Sequence, residues 1–231
     1  MKNSNPPVLR INIRGVTKAL LLIMTALLVI HIVLQYLYHV HGIEIMSTLR
    51  GRFDVDNEIS VPTWFNQILL LIPAVIAGIL FWTYRKWQWL LLGGVLLLLS
   101  IDEGAMLHEG FIDKFREWTV TDSASGLANH TWLIPVGIAL VLLAVVFFRF
   151  FLSLPRRTQI LLAAGLGMYV FGAIVYETIG LMYVHGGFAY EGLNVAFEEA
   201  LEMTGAIIVT YALLDYLSRE NSEITLKLEN S

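Results

Sequence analysis

Asp102, Glu103, His108 and Glu109 fall close together near the end of one apolar stretch, and Glu198, Glu199 and Glu202 near the start of another. Glu177 and His31 stand in two further apolar stretches. Carboxylates move protons and bind hard metal ions, and imidazole adds a borderline donor. The chain has no cysteine, which excludes thiolate metal sites, disulfides and a cysteine nucleophile. The set suits a divalent ion from the group Fe, Mn, Zn, Mg and Ca, and Fe, Mn or Zn is expected. Asp102, Glu109, Glu198 and Glu202 are the expected principal ligands. Glu103, His108, Glu177, Glu199 and His31 are expected as further ligands or acid–base groups.

Helical spacing supports the grouping. At roughly 100° per residue, Glu198, Glu202 and Glu199 share one face, and Asp102 and Glu109 are nearly eclipsed on a regular helix. Glu198 and Glu199 have an ordinary explanation, because a helix N-terminus stabilises nearby anions by about 0.3–1 kcal/mol. That explanation fails for Asp102, Glu103 and Glu109, which lie toward a helix C-terminus. An acid well inside a membrane helix costs about 2.5–3.5 kcal/mol on insertion scales. A cation, a shared proton or a water-filled cavity must offset the cost.

The elements that position these groups follow from composition. Of 231 residues, 57% are hydrophobic and 15% charged, and the mean hydropathy is +0.68. A soluble domain carries about 25% charged residues. The apolar residues gather into six runs, each near the length of about 20 residues that spans a bilayer. The spans are expected at 19–38, 64–82, 87–109, 132–151, 159–184 and 193–217. The reading is an all-α polytopic membrane bundle, a single transmembrane domain over 1–231 with a short polar tail at 218–231. The first apolar run is too long for a signal-peptide core, and no small-x-small cleavage site follows it.

Orientation follows from lysine and arginine. One set of loops and ends holds Lys2, Arg10, Arg14, Lys18, Arg85, Lys86, Arg149, Arg156, Arg157, Arg219 and Lys227, which is 11 of the 15 basic residues. The opposite loops hold Arg50, Arg52, Lys114 and Arg116. Both termini are therefore expected in the cytoplasm, with the acids and His31 in the outer half. Trp64, Trp82, Trp87, Trp89, Trp118 and Trp132 fall near the expected helix ends, as an interfacial aromatic belt requires.

The pattern also excludes several chemistries. Paired Glu-x-x-His motifs of dimetal bundles are absent. So are His-x-x-x-His boxes, a phosphate loop, a dinucleotide fingerprint and a serine–histidine–aspartate order. Asp54, Asp56 and Glu58 alternate in the outer segment 40–63 but miss the EF-hand spacing. That segment is expected to form a structured cap over the acids, with Glu58 its contributor. His31 and His39, eight apart, are placed to share a helix face. His41, His130 and His185 read as ordinary loop residues. A net charge of -4 gives no argument for nucleic acid.

The segments Phe53–Phe65, Ser100–Glu109 and Phe197–Gly205 resemble those of an uncharacterised family of bacterial multipass inner-membrane proteins. The resemblance implies the bacterial inner (cytoplasmic) membrane and carries no activity with it. Three functions compete. The first is a metal site at the periplasmic face, with a metal-dependent enzyme acting on a lipid-like substrate as its extension. The second is a non-catalytic subunit or assembly partner of a membrane complex. The third is a cation or proton transporter, which the nearly uncharged inner halves of the helices and the lack of a visible inverted repeat disfavour. The lipid bilayer is the expected partner throughout.

Overall fold

The computed structural model describes residues 11–43, 47–107, 110, 111, 114, 133–176, 178 and 187–220. No strand occurs among the described residues. Helix α1 spans Ile13–His41. The Asn12 side-chain oxygen accepts the Gly15 N–H at 3.0 Å and caps its start. Gly42, at φ 63, ends it in the left-handed conformation that glycine adopts without steric cost. The helix outruns the apolar stretch 19–38 at both ends, because these caps, and not hydropathy, set its boundaries.

Helix α2, Ser47–Phe53, forms part of the expected cap. The Asn57 amide donates to the Gly51 carbonyl at 2.9 Å, and the Thr63 hydroxyl donates to the Asn57 carbonyl at 2.8 Å. The cap is thereby stitched to helix α3, Val61–Tyr84. Ser60 caps α3 by accepting the Thr63 N–H, and Pro62 sits in the first turn, where a missing N–H costs nothing.

Arg85, at φ 55, stops α3, and α4 begins two residues later. Such a short connection makes α3 and α4 an antiparallel hairpin. Helix α4 runs Trp87–Ala105, and Met106 closes it at φ 51 with its N–H on the Asp102 carbonyl at 2.9 Å. The expected span reached Glu109, so the regular helix stops four residues sooner. Gly104 lies at this end, and the Gln67 amide occupies the space a Cβ there would fill.

Helix α5 spans Leu133–Ser153, and α6 spans Arg156–Val170 and continues through wider π turns at Phe171–Tyr176. A second π segment, Phe188–Asn194, leads into α7, Val195–Glu220. The last span therefore starts five residues before the expected 193 and extends past 217. The rest of the fifth expected span, beyond Tyr176, lies outside the described residues except for Thr178.

Six of these helices are long and apolar enough to cross a membrane. At 1.5 Å per residue even α4, the shortest, covers roughly the 30 Å hydrocarbon layer. Helix α7 is the hub. Of its most apolar stretch 56% is buried, against 6% for α5. It packs on α1, α3 and α6. Its core side chains Met203, Ile207 and Leu213 join Leu69, Leu80 and Trp89 of the α3–α4 hairpin. Successive antiparallel spans place the ends of α1, α4 and α6 beside the starts of α3 and α7, so residues late in one group meet residues early in the other.

Candidate functional site

That end of the bundle collects the acids. Asp102 and Glu103 occupy the last turns of α4, and Glu198, Glu199 and Glu202 the first turns of α7. The charges that act most strongly on Glu199 are those of Glu202, Glu103, Glu198 and Asp56. Those acting on Tyr169 of α6 are Glu202, Glu103, Glu199 and Asp102. Asp102 and Glu103 of α4 and Glu198, Glu199 and Glu202 of α7 thus lie toward the same end of the bundle, with Tyr169 on α6.

Local structure explains the approach. Gly172, in the π turns after α6, lies against α7, where a Cβ would come 2.9 Å from Cγ of Glu202. Only a residue without a side chain lets the two backbones meet at this level. From α3, Asn66 donates its Nδ2 hydrogen to Oε1 of Glu103 at 2.8 Å. The Ser100 hydroxyl ties α4 to the Gln67 carbonyl at 2.9 Å. Among the described residues, no three of His, Asp and Glu stand close enough to form a ready coordination shell. The carboxylates are gathered in one region without being drawn onto a common point.

His31 belongs to a second network. Its Nδ1 accepts the Val55 N–H at 3.2 Å, which leaves the proton on Nε2 to be donated to the Glu191 carbonyl at 2.9 Å. Both ring nitrogens are committed to backbone groups, and the ring is 1% exposed. While these contacts hold, His31 has no lone pair to give a metal, and its role is to fix the cap against α1 and the start of the last span. One turn on, Gln35 donates to Oδ2 of Asp54 at 3.0 Å and accepts from Arg50 at 3.2 Å. One turn further, His39 lies 3.0 Å from Oε2 of Glu191, which Arg50 also reaches at 3.2 Å. The Arg50 guanidinium stacks over the Tyr38 ring at 4.0 Å. His31 and His39 do share a face, as their spacing implies, and the stripe they define with Gln35 holds the cap.

Of the nine residues expected as ligands, Asp102, Glu103, Glu198, Glu199 and Glu202 lie toward the same end of the bundle. His31 sits in the second network. His108, Glu109 and Glu177 lie outside the described residues. Sequence reasoning missed Asn66, Tyr169, Gln35 and Glu191. Gln35 had a signal, since it falls midway between His31 and His39 on the same face. Asn66 had a fainter one, as half of an Asn66–Gln67 amide pair early in an apolar run.

At the other end of the bundle, Arg157 and Arg219 both donate to Oδ2 of Asp215, at 3.0 and 2.8 Å. Acids dominate one end, and a carboxylate held by two arginines marks the other.

Six apolar spans, one of them the central helix α7, define an integral membrane protein of the helical-bundle class. The chain belongs to the family described as a domain of unknown function (DUF8692), whose model matches residues 20–217. Neither a curated protein nor a solved structure matches it.

Proposed function

We propose that this integral membrane protein binds a divalent metal ion among Glu103, Glu199, Glu202 and Asp102, with Glu198 beside them. In this reading the chain lies in the bacterial cytoplasmic membrane with both termini inside, and the site faces the periplasm. His108, Glu109 and Glu177, which lie outside the described residues, are further ligands in this reading. One observation carries the proposal: α4 brings Glu103, hydrogen-bonded to the buried Asn66 at 2.8 Å, to the same end of the bundle as Glu202, itself buried on α7. Like charges gathered in a low-dielectric layer repel strongly and need a compensating positive charge. A divalent ion supplies it and turns repulsion into ligation.

The proposal is binding and does not extend to turnover. An apolar groove of about 610 Å³ runs along the last span, lined by Leu28, Ile32, Tyr176, Leu193, Phe197 and Ala200. On α7, Phe197 and Ala200 point away from the face of Glu199 and Glu202, by the same 100° spacing. A lipid chain resting in the groove lies on the far side of α7 from the acids.

The test is metal content by mass spectrometry of the detergent-purified chain beside a Glu103→Gln/Glu202→Gln variant. Stoichiometric metal in the wild type, lost in a variant of unchanged helicity, supports the reading. Wild type that stays metal-free after incubation with Mn²⁺, Fe²⁺ and Zn²⁺ overturns it.

A further inference from the structure

We propose that Arg157 and Arg219 form a binding site for the phosphate of an anionic phospholipid, at the end of the bundle away from the acids. The site uses none of the residues of the metal reading and is independent of it.

Asp215 of α7 is buried. Its Oδ2 accepts from Nε of Arg157 at 3.0 Å and from Nε of Arg219 at 2.8 Å. Both guanidinium groups hang on one oxygen atom, so their Nε atoms stand no farther apart than those two lengths end to end. Two positive charges against one negative leave the group with a net positive charge. An exposed arginine ordinarily swings freely, and its ion pair gains little. Here the buried acid fixes both heads. Arg157 is held from a second side as well, where its Nη2 donates to the Tyr211 hydroxyl at 3.0 Å.

Both arginine side chains nevertheless stay about half exposed, at 52% and 55%. Nη1 of Arg157 and both Nη atoms of Arg219 have no partner among the described residues. Tyr211, Asp215 and Arg219 follow one another at intervals of four and share a face of α7. Glu220 stands about 140° round the helix from Asp215 and is off that face. The open donors thus form a fixed, positively charged pair of forks, and guanidinium forks grip phosphate oxygens two at a time.

Place decides the occupant. Arg157 lies in the first turn of α6 and Arg219 in the last turn of α7, and both helices are membrane spans. The pair therefore sits at the headgroup level of a bilayer. Ile160, one turn deeper than Arg157 on α6, is 56% exposed. A phosphate held by the arginines continues into acyl chains along this apolar wall, which a soluble phosphate has no use for. Arg156, exposed beside Arg157, adds to the attraction for an anionic headgroup.

The experiment uses the full chain in detergent, stripped of lipid. Phosphatidylglycerol or phosphatidylcholine is titrated, and bound lipid is counted by native mass spectrometry. Arg219→Gln is the main variant, because Arg157 still accompanies Asp215 and the buried acid is not left alone. Lys18→Gln is the control, since it removes an exposed charge of α1 at the same end of the bundle. The expected result is that wild type prefers phosphatidylglycerol. Arg219→Gln should weaken that lipid about fivefold, the share of one basic residue near a membrane surface, and Lys18→Gln less than about twofold. Thermal unfolding without lipid shows whether each variant folds. If Arg219→Gln does not, Arg219→Lys takes its place and should also weaken binding, because one ammonium cannot reach Asp215 and grip two phosphate oxygens together. Equal affinity of wild type for the two lipids would overturn the proposal. So would equal losses in Arg219→Gln and Lys18→Gln, which would mean a diffuse surface charge. Glycerol phosphate that displaces phosphatidylglycerol at equal concentration would assign the arginines to a soluble phosphate and overturn the lipid.

Discussion

Gly165 of α6 and Gly205 of α7 face each other backbone to backbone. A Cβ on Gly205 would lie 2.6 Å from the Gly165 carbonyl oxygen and 2.7 Å from the Tyr169 nitrogen. Lipid tails are as apolar as leucine, so helices in a bilayer are held by close packing more than by hydrophobic transfer. Small residues at a crossing supply that packing. Gly205→Ala puts a methyl against backbone, which cannot swing aside, and should cost about 1–3 kcal/mol as an overpacked contact. Gly167, two residues from Gly165 and on a different face of α6, has open space around its Cβ position. Gly167→Ala should be neutral or slightly stabilising through helix propensity. Thermal unfolding of both variants in one detergent checks the contrast. Equal melting temperatures would mean that α6 and α7 do not cross here.

The His31 ring bridges two backbone groups, one in the cap and one in the last span. His31→Leu leaves the Val55 N–H and the Glu191 carbonyl without this partner, at about 1–3 kcal/mol for each buried group. The loss should be local first, because the cap is short and held by few contacts. Amide exchange at Val55 and its neighbours should rise well above that of α3, with the spans unchanged. His41→Gln is the comparison, since that ring is exposed and meets Tyr36 edge-on at 5.3 Å. Exchange that rises equally in both variants would separate His31 from the cap.

Some of this was open to reading in the residues, and the division has a physical basis. The six spans were legible because a bilayer demands about 20 apolar residues in a row, and each run is there. That Asp102 and Glu103 lie at the same end of the bundle as Glu198, Glu199 and Glu202 was legible because antiparallel spans convert sequence position into depth. The end of α4 was not, because nothing in the composition of 102–109 marks Met106 as the residue that turns left-handed. The work of His31 was hidden for a different reason. Its partners are a backbone N–H and a backbone carbonyl, which carry no residue signature. Asn66 was hidden because its partner, Glu103, stands on another helix 37 residues away. The π turns beside Gly172 and before Val195 likewise leave no pattern that separates them from an ordinary helix.

Phe150 is the one buried residue of α5. Its ring meets Trp89 edge-on at 4.9 Å and 89°. Ile138, Val141 and Val145 along the same helix are more than half exposed. The described part of α5 is thus docked through one end. Phe150→Ala removes an aromatic pair and its packing, on the order of 1–2 kcal/mol with no transfer from water to add. Val145→Ala should change stability very little. In a chain whose other five tryptophans are replaced by phenylalanine, Trp89 fluorescence gives the readout, and Phe150→Ala should shift its emission while Val145→Ala does not. Unshifted emission in Phe150→Ala would mean that α5 is held elsewhere.

The absence of cysteine makes the orientation directly testable, because any introduced thiol is the sole thiol in the chain. Ser47, at the start of α2, marks the end of the bundle that carries the acids, and Ser218, near the end of α7, marks the other. Both are exposed. The excess of lysine and arginine at the Ser218 end predicts that it stays in the cytoplasm. A membrane-impermeant maleimide added to spheroplasts should label Ser47→Cys at once and Ser218→Cys only after the membrane is opened. The reverse pattern would turn the acid cluster toward the cytoplasm. Any cation it bound would then come from a pool rich in Mg²⁺ and poor in free Ca²⁺, which changes the ion to be tested first without changing the ligands.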